Sequence, residues 1–257
     1  MSTATFTFAD SKTMLRRNLV HAKRYPGLTF AVVVMPVVLL LLFKFVFGGA
    51  LGQSTGGDYI DYLTPGMMLM IPAYLVAGIA VSVATDMTKG IINRFRTMPM
   101  NPSSILTGHV IGNTIQGLLG VTLMVGVAAL VGFRPDANAL EWVAAFGLIG
   151  LILFAFLWLG AGFGMSASSP EAASNTPTVI LFLPFLGSGL VPTDTMPTAV
   201  RKFAEYQPFT PMTETLRGLL MGDRIGGNAL GAIAWCLGIL VVGYLWSSIL
   251  MRRKANA

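Results

Sequence analysis

The feature that most constrains this chain is a series of apolar runs, each long enough to cross a bilayer. The first, Leu28 to Phe47 (LTFAVVVMPVVLLLLFKFVF), makes about 30 Å of helix, the thickness of the hydrocarbon core. Pro36 interrupts it, which a membrane helix tolerates as a kink, and Lys44 lies near its end, where its amine can snorkel. Further runs follow at Met67–Thr85, Ile105–Val131, Trp142–Phe163 and Ala229–Met251, with Trp142 at the interfacial position that indole prefers. Composition agrees, since 54% of residues are hydrophobic, only 11% are charged, and mean hydropathy is +0.71. A water-soluble body carries about a quarter charged residues. The expected fold class is therefore an all-α polytopic membrane protein, and a cleaved leader is not expected, because the first run is too long and wrongly flanked.

A fifth crossing is expected at Pro177–Val191, though Pro177 and Pro184 interrupt it and Pro192 and Pro197 follow. Thr193 to Gly227 then alternates apolar and polar residues, with helical patches at Thr198–Tyr206 and Pro211–Met221. Neither patch is long enough to span. They form either a surface domain or, preferably, short re-entrant helices in the outer leaflet between spans five and six, which requires protein or water to cover the broken backbone. The expected organisation is one membrane domain over residues 1–257. Residues 1–27 form a cytoplasmic interfacial segment, 28–251 a six-span region and 252–257 a cytoplasmic tail.

Orientation follows from the basic residues. Lys12, Arg16, Arg17, Lys23 and Arg24 precede the first span, Lys89, Arg94 and Arg96 separate spans two and three, and Arg252, Arg253 and Lys254 end the chain. Those eleven of the 17 Lys and Arg residues fall on one side of a six-span chain, so both termini are expected in the cytoplasm. The net charge of +6 therefore addresses lipid headgroups and topology, with no nucleic-acid partner. Cys236 is the only cysteine, which excludes an intrachain disulfide and a cysteine-based zinc cluster.

Two amphipathic segments lie on the cytoplasmic side. Phe8, Leu15, Leu19 and Ala22 fall near helical spacing before Pro26, which predicts an interfacial helix over Phe8–Tyr25 held by apolar burial and anionic lipid. Between spans two and three, Met87, Ile91, Phe95 and Met98 repeat at four, four and three residues, while Lys89, Asn93 and Arg96 point away. A short helix of this kind can place its exposed residues in a groove of a cytoplasmic partner. A helical connector with topogenic charges would show the same periodicity.

Three motifs in order carry a resemblance. They are Lys89-Gly-Ile-Ile-Asn-Arg-Phe-Arg-Thr-Met-Pro99 ahead of Gly108, then Phe185-Leu-Gly-Ser-Gly-Leu-Val-Pro192 with Met196-Pro197, then Gln207-Pro-Phe-Thr-Pro211 with Leu216-Arg217-Gly218. With the six spans and the basic arm, the chain resembles a type-2 ABC transporter permease, most like the small daunorubicin-type drug-export permeases of actinobacteria. Gln207 stands where that family more often has Asn, and Pro211 is an additional breaker. The resemblance implies a permease subunit in the cell membrane that exports a lipophilic or amphipathic substrate (drug, antibiotic or lipid). It implies a second permease copy, identical or homologous, and a pair of ABC ATPase subunits. ATP and Mg would be bound by those ATPases and no cofactor by this chain. The coupling residues it implies are Asp86, Met87, Lys89, Gly90, Asn93, Arg94, Phe95 and Arg96. Export of a lipid-linked polysaccharide, or a structural role without transport, are the alternatives.

Chemistry absent from the sequence narrows the reading. A P-loop needs Gly directly before its Lys, but the lysines here follow Ser11, Ala22, Phe43, Thr88, Arg201 and Arg253. Hydrolysis must then come from another polypeptide. Ser188 in Gly-Ser-Gly and His109 suggest an intramembrane serine hydrolase only weakly, because a nucleophile and base need far more positioned chemistry. Two histidines, His21 and His109, make a zinc site unexpected. The acids fall in loops or at span ends, Asp86 and Glu141 included, which disfavours an ion-coupled carrier. Asn113 and Gln116 share roughly one face of span three and either line a substrate path or bond between helices. Gly108-x-x-x-Gly112 and Gly160-x-x-x-Gly164 predict close helix packing.

Overall fold

A computed structural model describes residues 26–55, 58–89 and 103–256. The amino-terminal segment expected as an interfacial helix lies outside the described residues. Among these residues there are helices and turns but no strand.

The first span begins as α1 (Pro26–Leu42), passes through a π turn at Phe43–Phe47 and continues as α2 (Gly48–Thr55). The second is longer than its apolar run suggested, comprising α3 (Tyr59–Met68) and α4 (Met70–Thr88). Pro72 explains the break between them. It lacks the N–H that would reach residue 68 and crowds that turn, so Leu69 tightens and donates its N–H to the Gly66 carbonyl. The third span, α5 (Ser103–Leu130), and the fourth, α6 (Ala139–Ser166), extend their expected runs by a few residues at most. A capping box starts α6: Asn138 Oδ1 accepts from the N–H groups of Leu140 and Glu141, and Glu141 accepts from the Asn138 N–H. The last span, α11 (Asn228–Asn256), carries Arg253 and Lys254 in its final turn, where the helix dipole favours cations. It therefore continues through the basic residues expected as a tail.

Among the described residues, five helices are long and apolar enough to cross a membrane: Val33–Gly52, Tyr59–Thr88, Leu106–Leu130, Ala139–Ser166 and Asn228–Lys254. The segment expected as the fifth of six crossings is not one of them. Pro177–Val191 holds instead α8 (Thr178–Phe182) and a 3-10 turn at Leu183–Leu186, preceded outside the expected run by the short α7 (Pro170–Asn175), with Pro177 and Pro184 each removing a donor. Its course is nevertheless directed. Ala173 packs with Ala80 and Ala84 near the end of α4, while the Leu190 carbonyl accepts from Tyr59 Oη at the start of α3. The broken segment thus runs beside α3 and α4 for roughly 30 Å at 1.5 Å per residue of helix.

Small residues set how the long helices meet. A Cβ on Gly160 or Gly164 would strike the α4 backbone at Val76 or Ala80, so this pair packs α6 against α4 as its spacing predicted. Gly243 lies against the backbone of Trp158 and Leu159, and Gly162 against the Trp246 ring, which joins α11 to α6 in the same sense. Edge-to-face pairs Trp158–Tyr244 and Phe163–Trp246, at 4.9 and 5.1 Å, fill that seam. α4, α6 and α11 therefore run parallel. α5 runs against them, its Gly117 facing Leu75 and Leu153 and its Gly120 facing Ile71. The Tyr59–Thr88 span is central, with 72% of its most apolar stretch buried, against 17% for Val33–Gly52 and for Asn228–Lys254.

After the broken segment come α9 (Thr198–Tyr206) and α10 (Phe209–Met221), which match the two helical patches read from the sequence. Gly222, at φ +74°, ends α10 in the left-handed conformation that glycine adopts without strain. These helices sit at the end of the bundle that holds Asp61: Asp61 Oδ1 accepts from the Arg134 N–H at 2.9 Å, and the Asp136 N–H donates to the Leu220 carbonyl at 3.0 Å.

Candidate functional site

Two polar constellations stand out in this apolar body, one at each end of the bundle. At the end remote from Asp61, α4 finishes one residue before Lys89. Thr85 and Thr88 turn their hydroxyls back onto the Val81 and Thr85 carbonyls, and Lys89 is exposed where the dipole of α4 attracts a cation. Met87 is half-buried against the core. Asp86 is only 8% exposed and lies against His109 of α5, itself 7% exposed, with His109 Nε2–H donating to Asp86 Oδ2 at 2.9 Å. Burying a carboxylate without such a partner would be costly. The residue read from sequence as terminal does lie in the last turn of α4, with its side chain buried between α4 and α5.

Of the residues expected to couple to an ATPase, Asp86 turns inward, Met87 packs inward and Lys89 faces outward. Gly90, Asn93, Arg94, Phe95 and Arg96 lie outside the described residues. Asn113 and Gln116 are both half-buried on α5. Asn113 Nδ2 donates to the His109 carbonyl at 2.8 Å, one turn back along the same helix, so the structure ties it to the Asp86–His109 pair.

The other constellation gathers around Arg217, which is 5% exposed. Its Nη1 donates to Glu214 Oε1 at 2.5 Å, and its Nη2 donates to the carbonyls of Ser188 at 2.9 Å and Tyr62 at 3.1 Å. The guanidinium carbon lies 3.7 Å from the centre of the Tyr62 ring, a cation–π contact worth about 2 kcal/mol when desolvated. Tyr62 Oη donates to the same Ser188 carbonyl at 2.8 Å. Gly66 and Gly189 permit this convergence, because a Cβ on Gly66 would occupy the Gly189 backbone. Thr210 Oγ1 donates to the Ala204 carbonyl and accepts from the Ser188 N–H, while Gln207 Oε1 accepts from the Phe209 N–H. α3, the end of the broken segment and α10 are thereby bound into one unit.

Sequence reasoning picked out the stretches around Ser188, Gln207 and Arg217 but missed Tyr62, whose partners lie 126 and 155 positions away. It also placed Asp86 and His109 separately without pairing them. A usable signal existed, since an acid and an imidazole each lay within a turn or two of the ends of one connecting segment. Among the described residues, no cluster of His, Cys, Asp and Glu could hold a metal.

The arrangement offers no nucleophile–base pair: Ser188 and His109 belong to different constellations at opposite ends of the bundle. What it offers is a set of packed helices pinned at both ends by polar contacts. Residues 10–221 match the model of the ABC-2 type transporter family. The chain is 30% identical over 211 residues to a daunorubicin resistance ABC transporter permease protein of Streptomyces coeruleorubidus, covering 82% of this chain and 74% of that one. It is 22% identical over 227 residues to a probable doxorubicin resistance ABC transporter permease protein of Mycobacterium tuberculosis, covering 87% and 81%. It is 25% identical over 207 residues to the inner membrane transport permease YadH of Escherichia coli, covering 77% and 79%. With most of its length matched and its long apolar helices in place, the chain belongs to the ABC-2 type transporter family, as a multi-pass permease component of the cell membrane rather than an ATPase.

Proposed function

We propose that this chain is the membrane-spanning subunit of an exporter that moves a lipophilic or amphipathic compound outward, driven by a separate ABC ATPase. The observation that carries this reading is the likeness, over four-fifths of the chain, to a permease named for daunorubicin resistance. The spans here offer apolar surface with few fixed charges, which suits a lipophilic or amphipathic compound. Two ATPase subunits, each with ATP and Mg, and a second permease copy complete the machine in this reading. The broken segment over residues 170–190 counts as a sixth crossing, supported by its contacts with both ends of the second span through Ala173 and Leu190. Both termini then face the cytoplasm. α9 and α10 lie in the outer leaflet, a reading supported by the exposed Val200, Phe203 and Tyr206 of α9 beside its Arg201–Glu205 ion pair.

Coupling is assigned to Asp86–Pro99. Its apolar stripe needs a groove, Gly90 allows a partner's backbone to come close, and Arg94 and Arg96 meet acidic groups there. ATP-driven closure of the ATPases then biases a two-state pathway through this segment. Phe95→Ala is expected to cost about 2 kcal/mol of docking if the ring is an anchor. Arg96→Glu is expected to weaken docking in a salt-sensitive way. Co-purification with an ABC ATPase partner, and ATP hydrolysis by the complex, are the measurements. Wild-type values of both in the two variants would reduce the segment to a connector.

A further inference from the structure

Residues 90–102 connect two described roots in the membrane domain. The outgoing root is the end of α4, the returning root the start of α5. If only one root were anchored, a pull on the segment would be taken up by fraying of the other, since terminal helical turns open more easily than interiors. The structure closes this loss. Asp86 lies two residues before the end of α4 and His109 six residues into α5, and the two meet at 2.9 Å with both side chains about nine-tenths buried. Val83 and Ala84, within three residues of Asp86, and Leu106 and Val110, within three of His109, are buried as well, so water competes little at this level. Asn113 donates to the His109 carbonyl within α5 itself, so the link between the two roots is the Asp86–His109 bond.

We infer that Asp86 and His109 are positioning residues for energy coupling: they clasp the two roots of the segment so that a displacement of it moves the second and third spans as one body. This rests on the coupling reading given above. Asp86 then acts from inside the bundle, through His109, and not as a contact for the ATPase. The remaining groups of the roots suit that division, with Lys89 exposed at the end of α4 and Met87 packed inward.

The test uses the full chain, with Cys236 replaced by Ala, in complex with its ATPase in lipid nanodiscs. Spin labels at Lys89→Cys and Ser103→Cys report the distance between roots by pulsed electron resonance, at rest and after trapping with ATP and vanadate. With the clasp intact, one narrow distribution that is the same in both states is expected. Asp86→Ala should at least double its width or shift it on trapping, while the ATPase still co-purifies within about twofold of the normal yield. Asp86→Asn, which keeps a hydrogen bond without the charge, serves if the Ala variant does not insert, and should show a smaller change of the same kind. The reversed pair, Asp86→His with His109→Asp, should restore the narrow distribution. Unchanged distributions in Asp86→Ala or Asp86→Asn, or a reversed pair no better than the single variants, would overturn the clasp. Phe95→Ala in the same preparation separates the two ideas. If it keeps the ATPase, the docking reading fails, and the distance measurement still reads the clasp.

Discussion

A guanidinium that is 5% exposed needs partners for its charge and its donors, and Nη1 and Nη2 of Arg217 find them on its own helix, on α3 and at Ser188, while Nε is left without one. Each partner is of a different kind: a carboxylate one turn back, two main-chain carbonyls and an aromatic face. Lysine could keep the charge and some of these contacts, but not the planar fork that holds Glu214 through Nη1 and both carbonyls through Nη2 while stacking on Tyr62. Arg217→Ala would leave Glu214 with its charge unpaired in a side chain that is 31% exposed, and would take the guanidinium from the Tyr62 carbonyl and from the Ser188 carbonyl, the latter keeping Tyr62 Oη as a donor. The expected loss is about 3 kcal/mol. Arg217→Lys should fall between this variant and the wild type. Thermal unfolding in detergent, followed by tryptophan fluorescence, orders the three proteins. An Arg217→Ala variant that melts with the wild type would show that the network contributes nothing net. Asp86 makes the same residue-scale point at the opposite end. Thr85, Met87 and Thr88 beside it are of mixed character, so nothing local marks it as interior, and the position of α5 does so.

At the scale of elements, legibility tracked the regularity of the apolar pattern. The uninterrupted runs became α5, α6 and α11 nearly where expected, because an all-round apolar stretch of that length has only a helix with which to satisfy its backbone in lipid. The second span was read too short. Asp61, Thr64 and Pro65 depress its first half, yet Tyr59, Ile60 and Leu63 are buried there against other segments. The fifth crossing was readable as apolar but not as separate short pieces, since proline spacing signals a break without saying whether the chain goes on in the same direction. α9 and α10 were legible because Pro197, Pro208 and Gly222 bound them. Their placement beside Asp61 yields a prediction. Asp194 and Asp223 are both exposed, so cysteines substituted there should react with an impermeant maleimide added to intact cells. Protection of both would move α9 and α10 to the cytoplasmic face and would take the Arg217 network with them.

For the whole molecule, parity links the broken segment to the position of the termini. Five crossings would leave the two ends of the chain on opposite sides of the membrane, whereas a sixth through residues 170–190 returns them to the same side. The packing favours the second count, because α4, α6 and α11 run parallel, which requires a return passage between α6 and α11. The charge distribution agrees with it, since the arm before the first span and the end of α11 are both rich in Lys and Arg. Single cysteines at Ser2 and at Asn256, each with Cys236 replaced by Ala, therefore ought to be protected from the impermeant maleimide in intact cells and react after permeabilisation. The Asp194→Cys protein serves as the outward control in the same experiment. Reaction of one terminus alone would mean that residues 170–190 enter and leave on one face. α11 would then run opposite to the direction its seam with α6 implies, and the packing of Gly243 on Trp158 and Leu159 would have to be abandoned with it. Reaction of both would invert the molecule and turn the segment between α4 and α5 outward, where no ATPase could reach it.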